Sequence, residues 1–226
     1  MASLEYMIGS AVVDAAQKTQ EMQTLLVGKT PEQQAAIRFF YGAKSGCLSP
    51  AKSMTLEEYR KNVRERIASL NTKEMALRKL GIDEEEVQEI APVTFEGYVF
   101  NEKVDNLVAR ATANTWVSSD YMITWLFFGE REVFIYQYSF SMTSDSKKES
   151  TMQYFYQDIT NFSSSTETYQ KMVVAPNGGF MQASADSEEF KIVVPGDTLR
   201  CSMTPTDTTD ATIRGMRNKL REMKNK

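Results

Sequence analysis

The sequence predicts an α+β protein: a helical N-terminal region, then an aromatic-rich antiparallel β domain that a C-terminal helix closes. Apolar side chains recur at helical spacing through the first 90 residues, whereas from Val93 onwards they alternate with a period of two. Helical spacing returns only near the C-terminus. The chain has 226 residues, which is enough for one large or two small domains. We place the boundary near residue 90, with a helical region over 1–90 and the β domain over 91–226.

The helical region begins with a long apolar stripe that contains methionine. The stripe runs from Leu4 to Leu26, and Gly28 is placed to end the helix. Two capping boxes follow, at Thr30-Pro31-Glu32-Gln33 and Thr55-Leu56-Glu57-Glu58, and each predicts the start of a helix. We expect the stripe to pack on the other helices, with self-association or partner binding as the alternative.

Two shorter helical segments are predicted before the boundary. Thr72 is expected to cap a helix that ends at Gly81, because glycine tolerates the left-handed conformation common at helix C-termini. Asp83 is expected to cap one or two further turns that reach Ile90, before Pro92 ends the helical region.

Several strands are predicted in the β domain. The clearest hairpin joins Tyr121–Phe128 to Glu132–Met142 across Gly129-Glu130-Arg131. Thr143–Ser150 is predicted to be a loop. The other segments of strand character are 93–99, 106–117, 152–156, 168–175, 180–183, 190–194 and 198–203, with turns at Pro176-Asn177-Gly178-Gly179 and Pro195-Gly196-Asp197.

The second arm of the hairpin has two chemically different faces. One is aromatic and the other is partly polar. The aromatic face is expected to meet the core and the other to lean towards solvent, although both could be partly covered. The aromatic face carries Phe134, Tyr136, Tyr138 and Phe140, and the other carries Val133, Ile135, Gln137 and Ser139.

A C-terminal amphipathic helix is the last predicted element. Thr206, Asp207 or Thr209 could cap it, and basic side chains crowd its end, where cations suit the helix dipole. Its apolar stripe consists of Ile213, Met216, Leu220 and Met223.

About seven antiparallel strands followed by one amphipathic helix resembles the pleckstrin-homology-like fold, in which the helix closes a bent barrel. Tyr154–Phe162 resembles the segment that turns between the two sheets in bacterial members, and Gly196–Arg200 resembles the start of their final strand. Ala76–Tyr98 and Thr124–Phe128 look like parts of a family of uncharacterised bacterial proteins with a helical N-terminal region. The resemblance implies a fold and a cytoplasmic bacterial protein, and it carries no catalytic residue.

The chain contains no histidine, which is the usual general acid or base near neutral pH and the commonest metal ligand. Histidine-based triads and most structural zinc sites are therefore excluded. Cys47 and Cys201 stand alone in the sequence, and we interpret both as small buried side chains. We expect a protein that is not an enzyme, with no catalytic residue, no cofactor and no metal site.

The charge of the β domain argues against anionic partners. Between residues 91 and 206, eight Lys and Arg face 14 Asp and Glu, a net charge of −6. Phosphoinositide headgroups and membrane surfaces require clustered basic side chains, and nucleic acid requires a basic track for its phosphates. We interpret the basic end of the C-terminal helix as a solvated face. We expect no nucleic-acid partner and no membrane partner.

The sequence predicts neither a membrane span nor an export signal. Its longest apolar run, Tyr121–Phe128, is far shorter than the roughly 20 residues of a spanning helix. Glu5 and Asp14 fall where a signal peptide would be basic or apolar. The expected location is the cytoplasm.

These observations favour a non-enzymatic protein–protein interaction or scaffolding module of otherwise unknown function. The β domain would be a rigid platform, and the helical region an adaptor or oligomerisation element. The partner is expected to be a protein or peptide, and the predicted dock is the strand that follows Asp158–Phe162. The alternative is a small-ligand-binding protein or enzyme whose pocket is lined by Trp116, Trp125 and the tyrosines.

Overall fold

The structure is a computed structural model, and it describes residues 17–42, 54–87, 91–101, 106–112, 115–174, 180–204, 213–218 and 221–222. It is an α+β arrangement of several helices and antiparallel sheets. The helical segments are α1 (residues 17–26), α2 (Pro31–Phe40), α3 (Leu56–Leu70), α4 (Thr72–Leu80), a 3-10 turn at Glu84–Val87, and α5 (residues 213–218).

In the described part of the chain, nine strands form two larger sheets and one small hairpin. The first sheet has the order β1-β4-β5-β6, the second has the order β7-β8-β9, and β2 pairs with β3. All pairs are antiparallel. The strands are β1 (Val93–Tyr98), β2 (Val108–Arg110), β3 (Trp116–Ser118), β4 (Asp120–Phe128), β5 (Glu132–Ser141), β6 (Lys147–Phe155), β7 (Asn161–Val174), β8 (Phe180–Val194) and β9 (Asp197–Met203).

The two larger sheets meet along a seam between β1 and the end of β9. There the backbone N–H of Thr204 donates to the carbonyl oxygen of Glu96 at 2.8 Å. The strands approach so closely that Gly97 lies against the backbone of Met203. At the other margins, β6 and β7 have no further strand partner in the described part of the chain, so the sheets do not form a closed barrel.

The helices cover the outer face of the first sheet. Tyr59 of α3 is fully buried, and its hydroxyl donates to the carbonyl oxygen of Ser118 at 2.6 Å. The aromatic face of β5 packs into the same cluster through Tyr136 and Phe140. This core therefore contains residues from both sides of the boundary predicted near residue 90. The division into a helical region and a β domain stays a prediction.

The opposite face of the first sheet packs against the second sheet. Phe95 and Phe190 stack there with ring centroids 4.6 Å apart, and Ile213 and Met216 of α5 belong to the same cluster. The β5 face that was expected to lean towards solvent lies in this core, since Ile135 is fully buried. The expected exposure of that face was wrong, and the alternative, that both faces are covered, is the one the structure has, because the first sheet packs against the helices on one side and the second sheet on the other.

Four predicted strand boundaries need correction. Residues 106–117 do not form one extended run, because β2 and β3 fold back on each other as a hairpin. Lys147–Ser150 is not a loop but the start of β6. The segments predicted at 180–183 and 190–194 are one strand, β8, and β7 begins at Asn161 rather than near residue 168. Polar residues hid these strands because one sheet surface is exposed to solvent along much of β7 and β8.

The helix starts were predicted more accurately. Both capping boxes form, with the side chains of Thr30 and Thr55 accepting from the backbone three residues on. Thr72 does not cap α4, however: the N-cap is Asn71 in the left-handed conformation, and the Thr72 hydroxyl instead accepts a bond from the indole of Trp125 at 2.9 Å. Gly81 ends α4 as predicted, with a φ of 67°.

Several predictions lie outside the described residues. They concern the start of the first apolar stripe, the first cysteine, the turn before β8, and the cap and distal stripe of the C-terminal helix. The residues are Leu4–Ala16, Cys47, Pro176–Gly179, Thr206, Asp207, Thr209, Leu220 and Met223.

Candidate functional site: a groove at the edge of β7

A groove of about 490 Å³ separates the start of β7 from the C-terminal helical residues. Residues 159–163 line one wall, and Arg217 and Arg221 line the other. The groove lies at the segment that the sequence singled out, where the strand follows Asp158–Phe162. Its position depends on how the chain crosses from the first sheet to the second.

A short 3-10 turn makes that crossing. It spans Tyr156–Asp158, and the buried Tyr156 donates its hydroxyl proton to the carbonyl oxygen of Gly129 at 2.9 Å. Ile159 is fully buried in the core between the sheets. The backbone N–H of Thr160 then donates to the carbonyl oxygen of Val193 at 2.8 Å, which starts the pairing with β8. These anchors fix the first residues of β7 at the rim of the sheet.

The outer edge of β7 is divided into a covered half and an open half. Near the end of the strand, the ammonium of Lys171 donates to the backbone oxygen of Asn101 at 3.1 Å and to the side chain of Asn106 at 2.7 Å. Val173 packs with Val108 of the small hairpin in the same region. Residues 161–168 pair with β8 only, so among the described strands none covers their outer edge. An edge of this kind offers backbone groups to an added strand.

The other free edge differs in its side chains. β6 begins with the exposed residues Lys147 and Lys148, and lysine on an edge strand discourages pairing with another chain. The open half of β7 instead begins with Ser163, Ser164 and Ser165, which are uncharged and small, and its one charged residue, Glu167, forms an ion pair with Lys191. This contrast favours β7 over β6 as the edge that accepts a peptide.

Arg217 supplies an unsatisfied donor in the groove. Its Nε atom is buried and has no hydrogen-bond partner among the described residues. A guanidinium stays charged at all physiological pH values, and a buried donor without an acceptor is costly. Arg221, which lines the same wall, is exposed. A backbone carbonyl or a carboxylate that enters the groove would meet the side chain of this arginine.

The predicted aromatic pocket does not assemble around both tryptophans. Trp125 donates to Thr72 and stacks on Phe127 with ring centroids 6.0 Å apart, beneath the helices. Trp116 belongs to the separate cluster of the β2–β3 hairpin, where the guanidinium of Arg110 lies 4.9 Å from its ring. The two indoles therefore belong to different parts of the molecule.

The Tyr136 hydroxyl is occupied by a hydrogen bond rather than poised for chemistry. Tyr136 donates to Glu149 at 2.6 Å, and Glu149 also lies 2.9 Å from the ammonium of Lys79. Burial, reinforced by the Glu149 hydrogen bond, raises the pKa of Tyr136 far above its ordinary value. The hydrogen bond from Tyr136 and then the contact with Lys79 lower the pKa of Glu149. The phenol is therefore protonated and the carboxylate ionised near neutral pH.

Nucleophilic and metal-binding groups are sparse in the described structure. Burial raises the pKa of Cys201 to about 12, so its thiol is protonated and unreactive at neutral pH. The described residues contain no group of three or more Asp, Glu, His or Cys that could hold a metal ion. No described helix is long and apolar enough to cross a membrane.

The helical layer carries a positive charge, which the net charge of residues 91–206 does not include. Between residues 56 and 80, seven Lys and Arg face four Asp and Glu, a net charge of +3. These residues form α3 and α4, which pack on the acidic β domain. This basic layer was detectable in the sequence, because the charges of each predicted helix can be counted separately. The apolar face of each helix then indicates which side packs on the sheet.

Comparison with protein-family models, curated proteins and solved structures finds no match to this chain. The functional interpretation therefore depends on the groove, the sheet edges and the sequence motifs.

Proposed function

We propose that the chain is a cytoplasmic, non-enzymatic interaction module that binds an extended peptide of a partner protein along the open half of β7. The observation that carries this proposal is the coincidence of three features at one groove: an unpaired strand edge, a short run of small uncharged side chains that enters the groove at Ser163, and a lining arginine, Arg217, whose Nε is unsatisfied. Backbone pairing would supply affinity, and the arginine would select an acidic or carbonyl acceptor.

The pleckstrin-homology-like interpretation is part of the same proposal. A four-stranded sheet followed by a three-stranded sheet and a helix is the element order that this fold requires, with the β2–β3 hairpin as an insertion after the first strand. Ile213 and Met216, which lie in the core between the sheets, support a closing role for the C-terminal helix. The family of bacterial proteins that the sequence resembles would share this arrangement.

Peptides selected from a random display library provide the probe for the groove. Binding should protect the amides of residues 161–165 from hydrogen exchange, because their outer backbone groups would gain partners. Arg217→Gln should weaken peptide affinity by about tenfold or more, since a hydrogen bond to a charged group would be lost. Arg214→Gln is the matched control: Arg214 is exposed on the same helical segment and does not line the groove.

Two results would contradict the proposal. One is unchanged exchange of the β7 amides in the presence of saturating peptide. The other is an equal loss of affinity in the Arg217→Gln and Arg214→Gln variants, which would indicate a general charge effect rather than a contact in the groove.

The helical region is proposed to act as an adaptor or to support self-association. At the end of α1, Val27 is 78% exposed and Leu25 is 38% exposed, so apolar surface remains available there. Sedimentation velocity over a range of protein concentrations tests this role. Val27→Gln should weaken self-association and Gln23→Ala, at another exposed position of α1, should not. A wild-type chain that stays monomeric throughout the range would refute it.

A further inference from the structure

A second pocket lies between α3 and the seam where β1 meets the end of β9. Its volume is about 420 Å³, within the range of small-molecule sites. Val63, Phe95 and Met203, which are almost fully buried, contribute the apolar part of its lining. Arginines of α3 and polar residues of the seam complete the lining. It shares no lining residue with the β7 groove.

The helix presents two guanidinium groups to this pocket. Arg60 and Arg64 are four residues apart, so they lie on one face of α3. Among the described residues, Arg60 forms an ion pair with one carboxylate, the solvent-exposed Glu57, at 3.6 Å. Arg64 makes no hydrogen bond or ion pair with any described residue. Paired guanidinium groups with so few internal partners suit an oxyanion, which can accept two parallel hydrogen bonds from one fork and a further bond from the other.

Tyr98 adds a third donor beside the arginines. Its ring is held between Tyr59, which stacks on it at 6.4 Å, and Tyr121, which meets it edge-on at 5.1 Å. Burial raises the pKa of Tyr98, and the positive charges of Arg60 and Arg64 offset part of that rise. The phenol therefore stays protonated near neutral pH and can donate to a bound anion.

The opposite end of the pocket limits which anion fits. Burial raises the pKa of Glu96, and a hydrogen bond accepted from Tyr121 offsets part of that rise. In its ionised form the carboxylate adds a negative charge to the lining. A dianion such as phosphate would be repelled more strongly by this charge than a monoanion. The apolar lining favours an organic body attached to the anionic group.

We infer that this pocket binds a small carboxylate that carries an aromatic or aliphatic body. The carboxylate lies between Arg60, Arg64 and Tyr98, and the body covers Val63, Phe95 and Met203. The site depends on the packing of α3 against the seam and is independent of peptide binding at β7.

Benzoate is the probe, and its neutral isostere benzamide is the matched control ligand. Each is titrated into the full chain at constant ionic strength while the backbone amides of Glu96 and Met203 and the Nε–H of Arg64 are followed by NMR. Benzoate should give saturable shifts at these positions. Benzamide and inorganic phosphate should bind at least about tenfold more weakly, since the first lacks the charge and the second meets the repulsion of Glu96.

Two variants separate a built site from general electrostatic attraction. Arg64→Gln should weaken benzoate binding by about tenfold, the loss expected for a hydrogen bond to a charged group. Lys61→Gln removes the same charge from the same helix at a side chain that is 67% exposed and does not line the pocket. It should leave the affinity nearly unchanged. The inference is overturned if benzoate gives no saturable shift, if benzamide binds equally well, or if the two variants respond alike.

Discussion

Replacing Gly97 with alanine should disrupt the seam between the two sheets. A Cβ atom at this position would lie 2.9 Å from the backbone N and C of Met203 and 3.1 Å from its Cα. Carbon atoms in favourable contact are about 3.5–4.0 Å apart, so the methyl group would overlap atoms that belong to a paired strand. These backbone atoms cannot rotate away as a flexible side chain would.

The cost has two parts. Overpacking of a tight site destabilises by about 1–3 kcal/mol. Moving the strands apart also threatens the 2.8 Å bond from Thr204 N to Glu96 O, a further contribution of about 1 kcal/mol. We therefore expect Gly97→Ala to lower the free energy of unfolding by about 2–4 kcal/mol. At about 2–4 °C per kcal/mol for a chain of this size, the melting temperature should fall by about 4–16 °C.

Urea denaturation followed by tryptophan fluorescence measures this loss, and calorimetry measures the shift in melting temperature. Gly215→Ala is the matched control, because Gly215 is exposed on α5 and a Cβ there would meet nothing within 4 Å. Alanine should stabilise that helical position by about 0.5–1 kcal/mol. A Gly97→Ala variant with the unfolding free energy of the wild type would show that the sheets do not meet as closely as described.

Three further perturbations test the core, the thiol and a surface carboxylate. Tyr59→Phe should lower the free energy of unfolding in urea by about 1–3 kcal/mol, since the buried carbonyl oxygen of Ser118 loses its donor. In a Cys47→Ala variant, the Cys201 thiol of the native chain should react with Ellman's reagent at pH 8 only as fast as the chain unfolds. The reason is that this thiol is fully buried and its pKa is about 12. A prompt reaction would contradict that burial. The hydrogen bond from Tyr136 and then the contact with Lys79 lower the pKa of Glu149 in the folded state. The ionised carboxylate therefore adds to the free energy of unfolding above the ordinary glutamate pKa of about 4.3, and this contribution is lost as pH falls through the lower folded value. In the Glu149→Gln variant, the urea concentration at the unfolding midpoint should therefore fall less steeply as the pH is lowered. A fall as steep as that of the wild type would refute the role given to Glu149.

Local signals in the sequence were sufficient for the helix starts and the main hairpin. Each capping box satisfies backbone donors with side chains three residues away, so no distant contact is needed to form it. The turn at Gly129-Glu130-Arg131 is similarly local. Thr72 shows the limit of such signals. Its hydroxyl is of the type that caps helices, but it accepts a hydrogen bond from the indole of Trp125, which lies 53 residues further along the chain. Asn71, in the left-handed conformation, is the N-cap instead.

The length of β7 and β8 could not be inferred from alternation because their exposed surface is polar. Thr166 pairs with Glu188 and Thr168 with Asp186 through side-chain hydrogen bonds across the two strands. Such pairs stabilise a ladder without apolar side chains. The alternation of apolar residues is therefore weak in the segment where the edge of the candidate groove is built. The motif at Asp158–Phe162 identified the start of that edge, whereas Arg217 could be placed beside it only by the tertiary fold.

The distribution of charge explains why both candidate sites use arginines from helices. Residues 91–206, which contain all the described strands, carry a net charge of −6, so the strands alone would repel an anionic ligand. Helix α3 brings Arg60 and Arg64 to the seam, and the C-terminal helical residues bring Arg217 to the edge of β7. At the seam the arginines line the pocket together with apolar residues, and at β7 Arg217 lines the groove together with the first residues of the strand. In the proposed seam pocket, the carboxylate of Glu96 would repel each additional negative charge on a ligand, which would favour a monoanion.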